Sequence, residues 1–171
     1  MKGCVINMFA IGDYIAYGLT GVCKVTEIKE ERFFNYPTQS FYILNPVFSP
    51  EMTIKVPVLA QNSPFRNIYS KDEIEQLIFK IPKWELLWIN DERERNQRFK
   101  DMLRKCEVDD WMTLIKTIYS YKYLPEFKGK KLNKNDEEIL KTAEKLLNQE
   151  FGFVLNINPD EIPSYIEHCI A

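Results

Sequence analysis

The chain has 171 residues, 45% of them apolar and 28% charged, with a formal net charge of -2. These are values for one large globular domain or two small ones. The near-cancellation of charge excludes a protein coated in basic residues that binds nucleic acid by bulk charge, but leaves room for a local basic patch.

No run of about 18 apolar residues is present, so no spanning helix and no membrane role is expected. The short apolar start, Val5-Ile6, with Asp13 soon after it, does not resemble a signal peptide. The expected location is therefore cytoplasmic. Cys4, Cys23, Cys106 and Cys169 lie far apart and contain no C-x-x-C, so reduced thiols, most of them in cores, are expected. His168 is the only histidine. A zinc site needs paired local ligands that are missing here. Cys169 adjoins His168, but neighbours on a helix point about 100° apart, which makes a poor nucleophile pair. No P-loop, G-x-G-x-x-G or G-x-S-x-G occurs. The expectation is a protein with no catalytic residues, no metal and no cofactor.

The first third reads as β. Gly12-Asp13 is a turn signal, Tyr14 to Tyr17 a short strand, and Gly18 and Gly21 bracket a second turn. Val22 to Ile28 alternates, predicting Val22, Lys24, Thr26 and Ile28 on one face and Cys23, Val25 and Glu27 on the other. Phe41–Leu44 and Met52–Val58 are strands rich in β-branched and aromatic residues, joined by a Pro-containing connection. Four or five short strands predict a small SH3- or Tudor-like β-barrel, a unit that usually serves in docking.

The remainder reads as α, making the fold α+β: residues 1–64 a Tudor-like barrel, residues 65–171 an all-helical domain of about five helices. The boundary is set at the polar stretch Ala60-Gln61-Asn62-Ser63-Pro64. Ser70 and Glu73 form a capping box before Ile74, Leu77 and Ile78, and Pro82 limits that helix. A second helix spans about Asp91 to Lys105, with Phe99, Met102, Leu103 and Cys106 at helical spacing. A third follows Asp109, with Trp111, Leu114, Ile115 and Ile118 inward. Asn135 with Glu138 caps a fourth, which is expected to run to about Phe153. Asn158-Pro159 opens a short last helix.

Charge is partitioned. Residues 1–70 carry six basic and five acidic residues, and the rest 17 and 20. Within the helical part, Arg93–Lys105 holds six basic residues against two acidic, and Lys116–Lys134 six against one. Arg98, Lys100 and Arg104 lie outside the apolar stripe and could meet a phosphate backbone. Tyr119, Tyr121 and Tyr123 interleave with Lys116 and Lys122, so they could stack on bases or simply edge a core.

Phe9-x-x-Gly12-Asp13-x-x-x-Tyr17-x-x-x-Gly21-Val22 resembles the start of the RNA polymerase-interacting module of the CarD/CdnL family, which also occurs in transcription-repair coupling factor. Phe41-Tyr42-Ile43-Leu44 and Met52-Thr53-Ile54-Lys55-Val56-Pro57 resemble the next two strands. Arg98-Phe99-Lys100-x-x-Leu103, Leu114-Ile115-Lys116-x-Ile118-Tyr119 and Leu132 to Glu150 resemble the family's helices. Both halves resemble the family in order, over about residues 8 to 166, which implies a regulator rather than a coupling-factor fragment.

The resemblance implies a bacterial transcription regulator that binds the RNA polymerase β subunit, contacts promoter DNA at the upstream edge of the bubble and stabilises the open complex. It places polymerase contacts at Lys55, Arg32 and Tyr17. The hairpin contact falls at Glu31-Arg32; at Glu31 it would be lost or reversed. DNA contacts fall at Arg98 and Lys100. Arg95 stands where many members carry a wedging tryptophan, and Trp88 is the alternative wedge. Trp84 and Trp88 could instead pack between the two halves. A monomer, with a strand-exchanged dimer as alternative, is expected to bind free promoter DNA weakly and to depend on polymerase for placement. The competing reading is an interaction module that docks on polymerase or another partner without touching DNA.

Overall fold

The computed structural model describes residues 9–59, 64–123, 125 and 131–171. Cys4 and its neighbours, the Ala60–Ser63 part of the boundary segment, and Glu126, Lys128 and Lys130 of the second basic segment lie outside the described residues. The chain divides into two compact units, Met1–Asn67 and Ile68–Ala171.

The first unit is a five-stranded antiparallel sheet: β1 Tyr14–Tyr17, β2 Gly21–Glu31, β3 Gln39–Pro46, β4 Ile54–Pro57 and β5 Phe65–Asn67, in the order β4-β3-β2-β1-β5. The turn before β1 explains its sequence. Gly12 sits at φ 96°, a region that glycine enters without strain. Its N–H donates to the Val25 carbonyl at 2.7 Å, and the Asp13 carboxylate accepts from the Ala10 N–H at 2.8 Å. Phe9 then drops into the core, and its N–H donates to the Tyr42 hydroxyl at 2.9 Å. Ile15, Cys23, Val25, Tyr42, Leu44 and Val56 complete that core, with Tyr17, Ile54, Val58 and Phe65 at its margin.

Two expectations need correction here. β5 pairs with β1 (Ile15 with Asn67, Tyr17 with Phe65), which carries the first unit three residues beyond the expected boundary at 64. The register of β2 also shifts between Val25 and Glu27. A bulge at this point moves every later side chain to the other face. Ile28 therefore joins the face of Cys23 and Val25, opposite Tyr42, while Glu27 lies opposite Ile43. The Thr26 hydroxyl fixes the bulge through the Ile43 carbonyl (3.1 Å) and Asn45 Oδ1 (3.0 Å).

The second unit is helical: α1 Lys71–Lys80, α2 Glu92–Arg104, α3 Val108–Tyr123, α4 Lys134–Leu155 and α5 Ile162–Ile170. Among the described residues none of these helices is long and apolar enough to cross a membrane. Ser70 and Glu73 form the reciprocal capping box of α1. Asp91 caps α2 by accepting from the Glu94 N–H. The cap of α4 is Asn133 rather than Asn135; its side chain accepts from the Asp136 N–H at 2.8 Å. Asn158 caps a 3₁₀ turn, Pro159–Glu161, that leads into α5. Phe99, Trp111, Leu114, Ile118, Leu146, Phe151 and Ile162 are fully or almost fully buried and form the core of the unit.

An extended segment, residues 84–91, joins the first two helices and is hooked along α3. Trp84 Nε1 donates to Thr113 Oγ1 (2.7 Å), and the Leu87 N–H donates to Thr117 Oγ1 (3.0 Å). Trp88 stacks on Tyr121 with ring centroids 3.2 Å apart. Positions 113, 117 and 121 follow one another at one-turn spacing, so a single face of α3 holds the segment.

Candidate functional sites

In the sheet unit, Lys55 lies on β4 opposite Ile43, on the face away from the core. Its ammonium sits 4.3 Å from the centroid of the Phe41 ring and forms an ion pair with Glu31. Glu27 and Lys29 form a second pair on the same strand at 3.4 Å. Phe41 and Ile43 are covered, yet the charged groups around them remain well exposed. The result is an apolar strip flanked by balanced charge. Arg32 follows Glu31 directly and is exposed, with no ion pair among the described residues. Tyr17 is not part of this face. It points to the core side and packs on Phe65 at 5.3 Å, half-buried. The structure therefore groups Lys55 with Glu31 and leaves Tyr17 apart from them.

The residues expected to meet DNA fall into two groups. Arg98 is exposed on α2 and Lys100 is half-buried, and neither is ion-paired among the described residues. At about 100° per residue, Arg93, Lys100 and Arg104 fall within roughly 40° of one another, while Arg98 lies about 160° from Lys100, beside Glu94 and Asp101. Arg93, Lys100 and Arg104 thus share one stripe of α2, with Arg104 paired to Asp101 at 4.0 Å, and Arg98 occupies the opposite flank beside Glu94.

Arg95 and Trp88 depart from expectation. Arg95 is buried, with 6% of its surface exposed. Its Nη2 donates to Asp136 Oδ2 at 2.9 Å, Nε donates to the same oxygen at 3.2 Å, and Nη1 donates to the Ile89 carbonyl at 2.8 Å. The guanidinium also lies 4.3 Å from the Trp88 ring. Every face of this group is occupied inside the unit, so Arg95 does not present itself to a groove. Trp88 does not ride on a helix. It lies in the extended segment, half-buried between Tyr121, Arg95 and Phe99, and so is not poised as a wedge. The partners of Trp84 and Trp88 named here belong to the helical unit, not to the sheet.

The tyrosine and lysine cluster of α3 is also largely committed. Lys116 Nζ donates to the carbonyls of Ile81 (2.8 Å), Pro82 (3.2 Å) and Trp84 (2.6 Å). It therefore ends the 3₁₀ turn at residues 81–83 and does not serve a phosphate. Tyr119 donates to Glu144 Oε1 at 2.6 Å, a bond that pushes the phenol pKa up to about 12. Only Tyr123, at 72% exposure, presents a largely uncovered ring. Among the described residues no group of His, Cys, Asp and Glu could hold a metal ion.

Residues 9–68 match the family model of the CarD-like/TRCF RID domain. The match begins at the core residue Phe9 and ends one residue past β5, so it coincides with the described sheet unit. The RID domain is an RNA polymerase β-interacting domain. No curated protein matches the chain. Sequence reasoning overlooked Glu31 as the partner of Lys55 and the exposed aromatics that follow it. The signal for the latter was visible as Phe33-Phe34-Asn35-Tyr36-Pro37 between two strands.

Proposed function

We propose that this protein is a bacterial transcription regulator of the CarD/CdnL kind. Its sheet unit binds the RNA polymerase β subunit, and its helical unit contacts promoter DNA near the upstream edge of the bubble. The observation that carries the proposal is the RID match over residues 9–68, together with the Phe9, Gly12 and Asp13 turn that gives the motif its physical purpose. The basic groups assigned to that contact are Arg32, which has no ion pair among the described residues, and Lys55, which is paired with Glu31. The helical contact is supported by Arg93, Lys100 and Arg104 on one stripe of α2, with Arg98 on its flank.

The protein works by binding alone, in the cytoplasm, without a catalytic residue, metal or cofactor. Open-complex stabilisation requires only that it bind the melted state better than the closed one. With net charge near zero, affinity for free duplex is low. Polymerase supplies the placement through effective concentration. With Arg95 buried and Trp88 stacked internally, the contact grips the backbone and does not unstack a base step.

Gel shift with fork-junction promoter DNA, with and without polymerase, tests this. Binding that is weak alone and strong in the presence of polymerase is expected; no binding to either at low salt would overturn it. A second reading is favoured by the commitment of Arg95 and Lys116 to internal partners. In it the protein docks on polymerase and never touches DNA. Charge reversal at Arg98 and Lys100 that leaves promoter activity intact, while Lys55→Glu abolishes it, would establish that reading instead.

A further inference from the structure

The β2–β3 hairpin carries aromatic surface that the fold itself leaves uncovered. Phe34 is 93% exposed, Tyr36 71% and Phe33 48%. The three surround Asn35, which holds φ 68°, and the Tyr36 N–H donates to the Phe33 carbonyl at 3.0 Å. The tip is thus a closed turn with its rings displayed. β2 is exposed from Thr26 to Glu30, but its partners Phe41, Tyr42 and Ile43 on β3 are buried, so it is the end of the hairpin beyond Glu30 and Ser40 that stands clear of the core as a short arm.

Three features say what such an arm meets. Its charges are balanced: Glu27 pairs with Lys29 and Glu31 with Lys55, leaving Glu30 against Arg32. There is no cationic excess to attract a nucleic acid. Its apolar content is aromatic and held on a fixed turn, the kind of side chain that dominates protein interfaces when it enters a desolvated pocket. It is also continuous with the face of Lys55. The Phe33 ring lies edge-on to Phe41 at 6.5 Å, and the Lys55 ammonium covers Phe41.

We propose that Phe34 and Tyr36 are the anchors of the sheet unit, filling an apolar socket on the RNA polymerase β subunit, with the Glu31–Lys55 pair at the rim of that contact. The proposal rests on the polymerase-binding reading and adds to it the residues that fix the unit in place. Both side chains are exposed, so their removal leaves the fold intact.

The test uses the full chain and purified bacterial core RNA polymerase in a direct binding titration. Phe34→Ala/Tyr36→Ala is expected to raise Kd by about tenfold or more, as loss of interface hot spots does. Its salt dependence should match that of the unaltered chain, and Phe34→Leu/Tyr36→Phe should retain most of the affinity. Circular dichroism reports that each variant is folded. Unchanged affinity of the Ala variant, with the unaltered chain binding normally, overturns the anchor and leaves the polymerase reading standing. Failure of the unaltered chain to bind core polymerase overturns that reading and the anchor with it. Self-association, or binding to phosphatidylglycerol vesicles, that requires Phe34 and Tyr36 while polymerase binding does not, overturns the anchor in favour of a second copy or a lipid surface.

Discussion

Arg95 on α2 and Asp136 in the first turn of α4 form a buried ion pair, 2.9 Å between Nη2 and Oδ2, with side-chain exposures of 8% and 2%. They join two helices 41 positions apart in sequence. Removing one partner leaves the other charge buried and unpaired, a change that costs about 3–5 kcal/mol in such sites. Arg95→Met and Asp136→Leu are each expected to lower the urea midpoint sharply. The double variant should recover much of the loss, because no uncompensated charge remains. A double variant as unstable as the sum of the singles would show that the two residues act separately.

That pair also marks where sequence reading stops. The turn Phe9-x-x-Gly12-Asp13, the capping box at Ser70 and Glu73, and the stripes of α2 and α3 rest on spacings within one element, and all were legible. The errors arise where a distant partner decides. Arg95 looks like a surface cation until Asp136 is brought against it. Lys116 looks like part of a basic patch until three carbonyls converge on it. Thr26 gives no local sign that it is a bulge, and so simple alternation puts Ile28 on the wrong face. β5 has only three residues, too few for any period to show.

Charge reversal separates the cationic stripe of α2 from its mixed flank. Lys100→Glu/Arg104→Glu alters the stripe that includes Arg93, whereas Arg98→Glu alters the mixed flank. If the stripe meets phosphates, the first variant should weaken fork-junction binding in the polymerase complex and lower the salt slope by about 1 per lost contact. The second should do less. Trp88 fluorescence should stay near its unbound value on DNA addition, because the ring is already stacked on Tyr121. Strong quenching that vanishes with Trp88→Phe would mean that the tryptophan leaves its stack to wedge the duplex.

Lys55 and Glu31 are each about one-third to two-fifths exposed, so their ion pair contributes little stability. On the proposed polymerase-binding reading the pair bears on affinity, since a Lys55 already paired offers less to an acidic surface. Glu31→Gln should leave the melting temperature nearly unchanged, tighten binding to core polymerase by a few-fold and steepen its salt dependence. Lys55→Glu should weaken binding. Weaker binding by Glu31→Gln would show that Glu31 itself touches a cation on the partner.

Tyr119 offers a spectroscopic readout of the α3–α4 contact. Its bond to Glu144 and its partial burial raise the phenol pKa from 10.0 to about 12. A raised folded-state value means that the bond's stabilisation is whole below pH 10 and is lost as pH rises through about 12. In absorbance titration at about 295 nm, Tyr119 should therefore ionise late in the folded protein, as should Tyr165, whose phenol burial and the neighbouring Cys169 also push up. Tyr119→Phe or Glu144→Gln should reduce the late amplitude by one tyrosine. An unchanged late amplitude in both variants would assign it to Tyr165 or another residue.

At Gly152 a single added atom matters. It lies in the last turn of α4, and its carbonyl accepts from the N–H groups of Asn156 and Ile157 as the chain leaves the helix. Asn156 makes that exit at φ 56°. A Cβ at Gly152 would sit 2.8 Å from the Ile157 carbonyl oxygen and 3.1 Å from the Pro159 nitrogen. Both are backbone atoms, so neither can swing aside. Helix propensity favours alanine over glycine by about 1 kcal/mol. Overpacking against backbone costs typically about 1–3 kcal/mol and works against that gain. Gly152→Ala is expected to be destabilising on balance, with a lower urea midpoint and an unchanged m-value. An increase in stability would show that the turn after α4 yields to the new methyl group and that glycine is held there for some other reason.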